Sequence, residues 1–371
     1  MTQEGRGQGR GQGRGQGRGQ GRGQGRGQGR GQGRGQATDH AGGESSTQLS
    51  DALAAVHDGL GFAWNGKTHL TTSPTRMGTR TDADTRYLTA ETRGNLIDSL
   101  LSQAFAVTGK DGHATLSVAG VGNISLSVPS RAFFQSQLVF LRSYADLRAD
   151  RIGEIDIQID DMLSFFGLVG MLNDSRRVRT LELLRAVIRL AVHVEMPVKH
   201  YCRSLRPIDM SSMVHPIVQT PDHSSFPSGH AMETFAAATV LDRLARGRTY
   251  DPDGRLSLPF QIAHRIATNR TVAGVHFPID SMAGALIGCR IGDAVWRMAH
   301  GVDQNDKELK VKPKGAGMSL GGKTCAAHED FTLKLLDEVC PLDPKTDNTT
   351  TKTVIGEMWR LADLEWQDPA P

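Results

Sequence analysis

The sequence predicts a mainly α, soluble helical bundle with a small β-hairpin and a disordered N-terminal tail. Three observations predict it. From about Asp51 onward, apolar residues recur at three- and four-residue spacing, the period of a helix with one buried face. Only residues 114–128 alternate as a strand pair does, around Gly122-Asn123. No apolar run reaches the roughly 18 residues a spanning helix needs: 164–172 is short, and 183–194 is broken by Arg185 and Arg189. At 371 residues, 38% hydrophobic, the chain can bury one large core.

The first 36 residues hold eight GRGQ copies from Gly5 onward, with no apolar side chain in them. Such a segment buries nothing to offset chain entropy and is expected to be disordered. It also distorts the charge balance. The whole chain carries 43 Lys and Arg against 40 Asp and Glu, and without the eight tail arginines the balance is 35 against 40. A basic, nucleic-acid-binding core is therefore disfavoured, and contact with polyanions is confined to the tail, where it is expected to be weak and nonspecific. No aromatic residue interleaves those arginines, so base stacking is not on offer.

Along the rest of the chain, residues 91–107 place Leu96, Leu100, Leu101 and Phe105 at helical spacing, and 132–147 and 178–194 read the same way. Residues 152–166 fit both periods and are assigned to helix on length. Their acids, Glu154, Asp156, Asp160 and Asp161, are expected on a solvated face rather than at a metal. Helices are also expected at 230–246, 260–272 and 278–298, a Gly/Lys-rich linker at 301–324, and amphipathic segments at 330–339 and 354–366. The domain plan is thus a tail over 1–48, a helical domain over 49–300, and a linker with docking helices over 301–371. Cys202, Cys289, Cys325 and Cys340 show no CxxC spacing and are read as buried thiols. The N-terminus has no apolar signal core, so a cytoplasmic location is expected.

Three stretches carry chemistry. They are Lys199 to Arg206-Pro207, Pro227-Ser228-Gly229-His230, and Arg270 to His276 and Asp280. Together they supply three cations, a hydroxyl beside a glycine, and two histidines, one with a carboxylate four residues on. This is what a tetrahedral oxyanion requires. Lys199 and Arg206, seven apart, are expected on one face of a helix started by Pro197, with Pro207 biasing Arg206 out of helix. Pro227 leads into a helix whose first amides are unpaired, Gly229 lets an anion approach the backbone, and Ser228 adds a hydroxyl donor. Arg270 can hold two oxygens at once. Pro278 belongs at a first helical position, with Phe277 as cap and Asp280 in the first turn. From there Asp280 can accept the proton of one His276 nitrogen and leave the other basic, which makes His276 a nucleophile or an axial ligand. His230, at the start of its own helix, is free to protonate a leaving oxygen.

These blocks resemble the KxxxxxxRP, PSGH, SRxxxxxHxxxD signature of the superfamily that joins type-2 phosphatidic acid phosphatases, bacterial nonspecific acid phosphatases and vanadium-dependent haloperoxidases. The resemblance covers about 80 residues and implies a soluble helical bundle of the acid phosphatase/vanadium haloperoxidase type. It implies an oxyanion shell of Lys199, Arg206, Ser228, Gly229 and Arg270, an acid/base at His230, a residue bonded to phosphorus or vanadium at His276, and its orienter at Asp280. One position departs from the pattern, Asn269 standing where the signature has Ser, and His223 resembles a second histidine carried by bromide-oxidising members.

Two activities follow from the resemblance. The first is a phosphoric monoester hydrolase that works through a phosphohistidine on a small phosphorylated substrate, with no cofactor. The alternative is a haloperoxidase with vanadate on His276, taking halide and hydrogen peroxide. The short gap from Arg206-Pro207 to Pro227 resembles phosphatases, whereas His223 favours the haloperoxidase. A third reading is an inactive scaffold with a polyanion-binding tail. Integral membrane insertion is not expected, and the oligomeric state is left open.

Overall fold

The computed structural model describes residues 54–56, 81–246, 256–302, 308–341 and 349–367. The GRGQ tail lies outside the described residues. Helix α1 (Ala90–Ser102) is capped by Thr89, whose hydroxyl accepts from the Thr92 amide at 3.2 Å. The predicted helix over 91–107 stops there, and Phe105–Lys110 form strand β1 instead. The reason is the next turn: Asp111 and Gly112 both have positive φ (48° and 82°), the two-residue hairpin turn that an Asp-Gly pair favours. Strands β2 (His113–Val118) and β3 (Gly122–Ser127) complete a meander, with Val118 opposite Gly122. The expected hairpin is present, but its turn lies at 119–121 and Gly122 already belongs to β3.

Within the expected linker, residues 309–325 form strands. Strands β4 (Leu309–Lys314), β5 (Gly317–Leu320) and β6 (Lys323–Cys325) extend the sheet to six, with β4 parallel to β3. Leu309 and Val311 face inward while the intervening lysines stay in water, so the strand alternates as a half-buried strand should. The sheet therefore draws on residues either side of position 300.

Helices α2 (Arg131–Ala145), capped by Ser130, and α3 (Arg148–Asp160) follow the meander. The expected continuous helix over 152–166 breaks after Asp160. Asp161 is extended, its carboxylate accepts from the Ser164 amide at 3.0 Å, and a 3-10 turn over Leu163–Leu168 takes over. Among the described residues no group of acids, histidines or cysteines is placed to hold a metal ion. The acid Glu154 is engaged by Arg265 and Asn269.

The helical body is α4 (Val178–Cys202), the short α5 (Pro207–Met210), α6 (Gly229–Ala245), α7 (Leu258–Val272) and α8 (Pro278–His300), followed by α9 (Leu333–Val339) and α10 (Val354–Gln367). Helix α6, mostly alanine and larger apolar residues, is buried almost all round and packs against α8, α7 and α4. Glycines set how close α8 comes. A Cβ at Gly284, Gly288 or Gly292 would press on the main chain of α6 at Ser228, Met232 and Ala236, so this four-residue stripe lets the two helices meet backbone to backbone. Helix α10 reaches back to the start of α4, where Glu365 accepts from the amides of Arg179 (2.7 Å) and Thr180 (2.8 Å). That carboxylate satisfies donors that α4 has no cap of its own to meet. All four cysteines are buried. Among the described residues no helix is long and apolar enough to cross a membrane.

Candidate active site

Lys199 lies in the last turn of α4 and is 1% exposed, with Nζ donating to the Ser224 carbonyl at 3.1 Å. Pro197 sits inside this 25-residue helix rather than at its start. Arg206 is not on the same helix. The chain turns at Arg203, which has positive φ (50°), and Arg206 is extended (φ −82°, ψ 160°) ahead of Pro207, the conformation a following proline favours. The two cations thus reach one place from a helix end and from a loop, not from a shared helix face. The Arg206 guanidinium donates to the carbonyls of His223 (3.1 Å) and Val275 (2.9 Å), and it also meets His276 Nε2 (3.1 Å) and His223 Nδ1 (3.2 Å).

The last contact but one fixes the chemistry of His276. A guanidinium can only donate, so Nε2 is the unprotonated nitrogen and Nδ1 carries the hydrogen. That hydrogen points to Asp280 Oδ2 at 3.2 Å. Asp280 is held in turn by the Ser225 hydroxyl (2.5 Å) and the Phe277 amide (2.9 Å). Its place follows from Pro278 at the start of α8 with Phe277 as cap, as expected. Burial, and then the charges of Arg206 and Lys199, hold the His276 imidazole well below its ordinary pKa. Burial pushes Asp280 up to about 6, against the hydrogen bonds from Ser225 and Phe277.

Ser228 caps α6, its hydroxyl accepting from the Ala231 amide at 3.5 Å, and its own amide donates to the Asp280 carbonyl at 2.9 Å. The first turns of α6 and α8 are thereby tied together, at the head of the glycine stripe. At Gly229 the space a Cβ would take is filled by Glu195: its Cδ would lie 2.8 Å away and its oxygens closer still. A Cβ here would have to push that buried carboxyl aside. Glu195 is one turn before Lys199, and Oε2 has no hydrogen-bond partner. Burial raises it to about 7 against the pull of Lys199 and Arg206, and burial lowers Lys199 to about 8.

His230 and Arg270 form the other wall. His230 Nε2 faces the Gln158 carbonyl at 3.2 Å and Arg270 Nη1 at 3.4 Å. Both contacts are made by Nε2, with the carbonyl as an acceptor and the guanidinium as a donor beside it, so Nδ1 is the ring nitrogen turned away from them. Arg270 is fully buried, Nη2 donates to Gln158 Oε1 at 3.0 Å, and burial lowers its pKa to about 10. Burial and Arg270 hold His230 well below the ordinary imidazole range. His223 is half-buried beside Arg206, and burial, then Lys199 and Arg206, lower it to about 4. Asn269 does not join this cradle. It turns toward α3, bonded to Glu154, Gln158 and Arg151. A cavity of about 680 Å³ opens over Lys199, Arg206, His223 and Ser224, rimmed by Met196 and Leu205.

The three sequence stretches therefore converge, and the structure adds Ser225, Glu195 and Gln158. Ser225 sits two residues before Pro227 of the PSGH stretch. Glu195 was findable as the acid four residues before Lys199 on one helix.

Residues 181–303 match the PAP2 superfamily, and the chain carries a domain of that superfamily there. Over 128 residues it is 33% identical to the decaprenylphosphoryl-5-phosphoribose phosphatase of Mycobacterium tuberculosis, equally for strains CDC 1551 / Oshkosh and ATCC 25618 / H37Rv. The match spans 34% of this chain and 66% of each relative.

Proposed function

We propose that the protein is a phosphatase that hydrolyses a small phosphoric monoester through a phosphohistidine on His276. The observation that carries this reading is the His276 ring, with Nδ1 on Asp280 and a lone pair on Nε2 beside Arg206. It is a neutral, oriented nucleophile among cations, and the phosphatase relative supports it.

In the proposed step, Arg206 Nη1 turns from Nε2 to a phosphoryl oxygen, and the released Nε2 lone pair forms an N–P bond in line as the P–O ester bond breaks toward the leaving oxygen. Lys199, Arg206, Arg270 and the Ser228 hydroxyl hold the charge on the equatorial oxygens. His230 gives the leaving oxygen its proton from Nδ1. A bound phosphoryl dianion offsets the cations that depress His230, so substrate itself favours the protonated acid. Water then attacks phosphorus, its proton goes to His230, and the N–P electrons return to His276 as phosphate leaves. The scheme calls on no metal. His223, at the wall of the same cradle, favours the second reading: vanadate would be held by these donors with His276 as protein ligand, where it supplies peroxide activation for halide oxidation.

Full-length protein assayed with p-nitrophenyl phosphate and ribose 5-phosphate is expected to release phosphate, inhibited by vanadate. His276→Ala is expected to lose about 10³-fold or more in kcat. An unimpaired His276→Ala sinks the nucleophile assignment. Bromination after vanadate loading selects the second reading, and no turnover of any kind selects the inactive scaffold.

A further inference from the structure

Two of the groups assigned to catalysis, His230 and Arg270, are held by one residue that lies outside the 181–303 match. Gln158 projects from the last turn of α3 and is fully buried. Its main-chain oxygen receives His230 Nε2 at 3.2 Å, and its side-chain oxygen receives Arg270 Nη2 at 3.0 Å and Asn269 Nδ2 at 3.1 Å. We propose that Gln158 is the positioning residue of the oxyanion site, aiming Arg270 through its side-chain oxygen; this rests on the phosphatase reading for the role of Arg270.

The polarity of the network leaves one arrangement. Arg151 Nη1 donates to Asn269 Oδ1 at 3.0 Å, so the Asn269 amide nitrogen faces Gln158 and Glu154. Arg270 can only donate. Gln158 must therefore present oxygen to both, since turning its amide over would set donor against donor. Nη2 is committed to Gln158 and to the Ile155 carbonyl (3.3 Å) and Nη1 lies against His230 Nε2, which leaves the buried Nε of Arg270 as its donor without a partner. Neutrality matters as much as shape. An anion in place of Gln158 would lie in contact with Arg270 and cancel the charge that the oxyanion uses. This also gives Asn269 its purpose: a longer side chain than serine, it spans from Arg151 to Gln158 and locks the amide.

The test reads oxyanion binding and turnover separately. In full-length protein, Gln158→Glu is expected to weaken inorganic phosphate binding, measured by calorimetry, by at least tenfold and to raise KM. Gln158→Met, nearly isosteric but without the acceptor, is expected to weaken binding several-fold and to lower kcat about tenfold or more, with an unchanged far-UV spectrum. Wild-type phosphate affinity in Gln158→Glu overturns the proposal. If that variant does not fold, wild-type affinity and kcat in Gln158→Met overturn it equally. The binding arm needs no turnover, so weakened binding supports Gln158's hold on Arg270 even if the phosphatase reading fails for lack of turnover.

Discussion

Replacing Gly288 with alanine tests whether the backbone contact between α6 and α8 builds the site. In an exposed helix position this change gains about 1 kcal/mol in helix propensity. Here the new Cβ would lie 3.0 Å from the Ala236 amide nitrogen and 3.1 Å from the Met232 carbonyl carbon, with the Met232 oxygen nearer still. Main-chain walls cannot rotate away, so the helices have to part to reach an ordinary contact of about 3.5 Å. Overpacking of this kind costs about 1–3 kcal/mol, and with both walls rigid the upper end applies, a net loss of about 1–2 kcal/mol. Gly153→Ala is the control, on solvent-facing α3 with nothing within 4 Å of its Cβ position. Thermal unfolding is expected to show Gly288→Ala melting a few degrees below wild type and Gly153→Ala at or above it. Because the same seam carries the bond from the Ser228 amide to the Asp280 carbonyl, kcat/KM of Gly288→Ala falls as well. A Gly288→Ala protein as stable as the Gly153→Ala control would refute the close-packing account.

Three further outcomes are expected. Gly229→Ala lowers activity by pushing Glu195, and adding Glu195→Ala recovers part of it, a coupling that a double-mutant cycle measures. Lys199, lowered by burial to about 8, carries its charge below that pH and loses it above; KM therefore rises about fivefold between pH 8 and 9, while Lys199→Arg stays flat over that range. Glu365→Ala removes the acceptor for the first amides of α4 and costs about 1–3 kcal/mol, read as a lower melting temperature with kcat unchanged.

The site was legible in the sequence to the extent that it is local. Pro278 with Asp280, or Pro227 with Ser228, fix their geometry within one turn, and both were read correctly. Lys199 and Arg206 were misread because a seven-residue spacing assumes a continuous helix, and the left-handed turn at Arg203 interrupts it. Gln158 left no signal, since its role depends on α3 packing against α7, a contact between distant segments. In the sheet the signs were present but outweighed. Asp111-Gly112 marks the first hairpin, yet the helical spacing ahead of it ran on through Phe105. The alternation of Leu309 and Val311 with lysines was masked by the glycines that follow.

The parallel pairing of β3 with β4 sets Ser125 opposite Lys310, and the Ser125 hydroxyl donates to Glu308, 183 residues further on. Nearly the whole helical body is strung between those two points. Closing so wide a circuit costs less chain entropy once the helices have gathered between its ends. Once made, it works as a buckle: neither flank can peel away without first giving up its grip on the other.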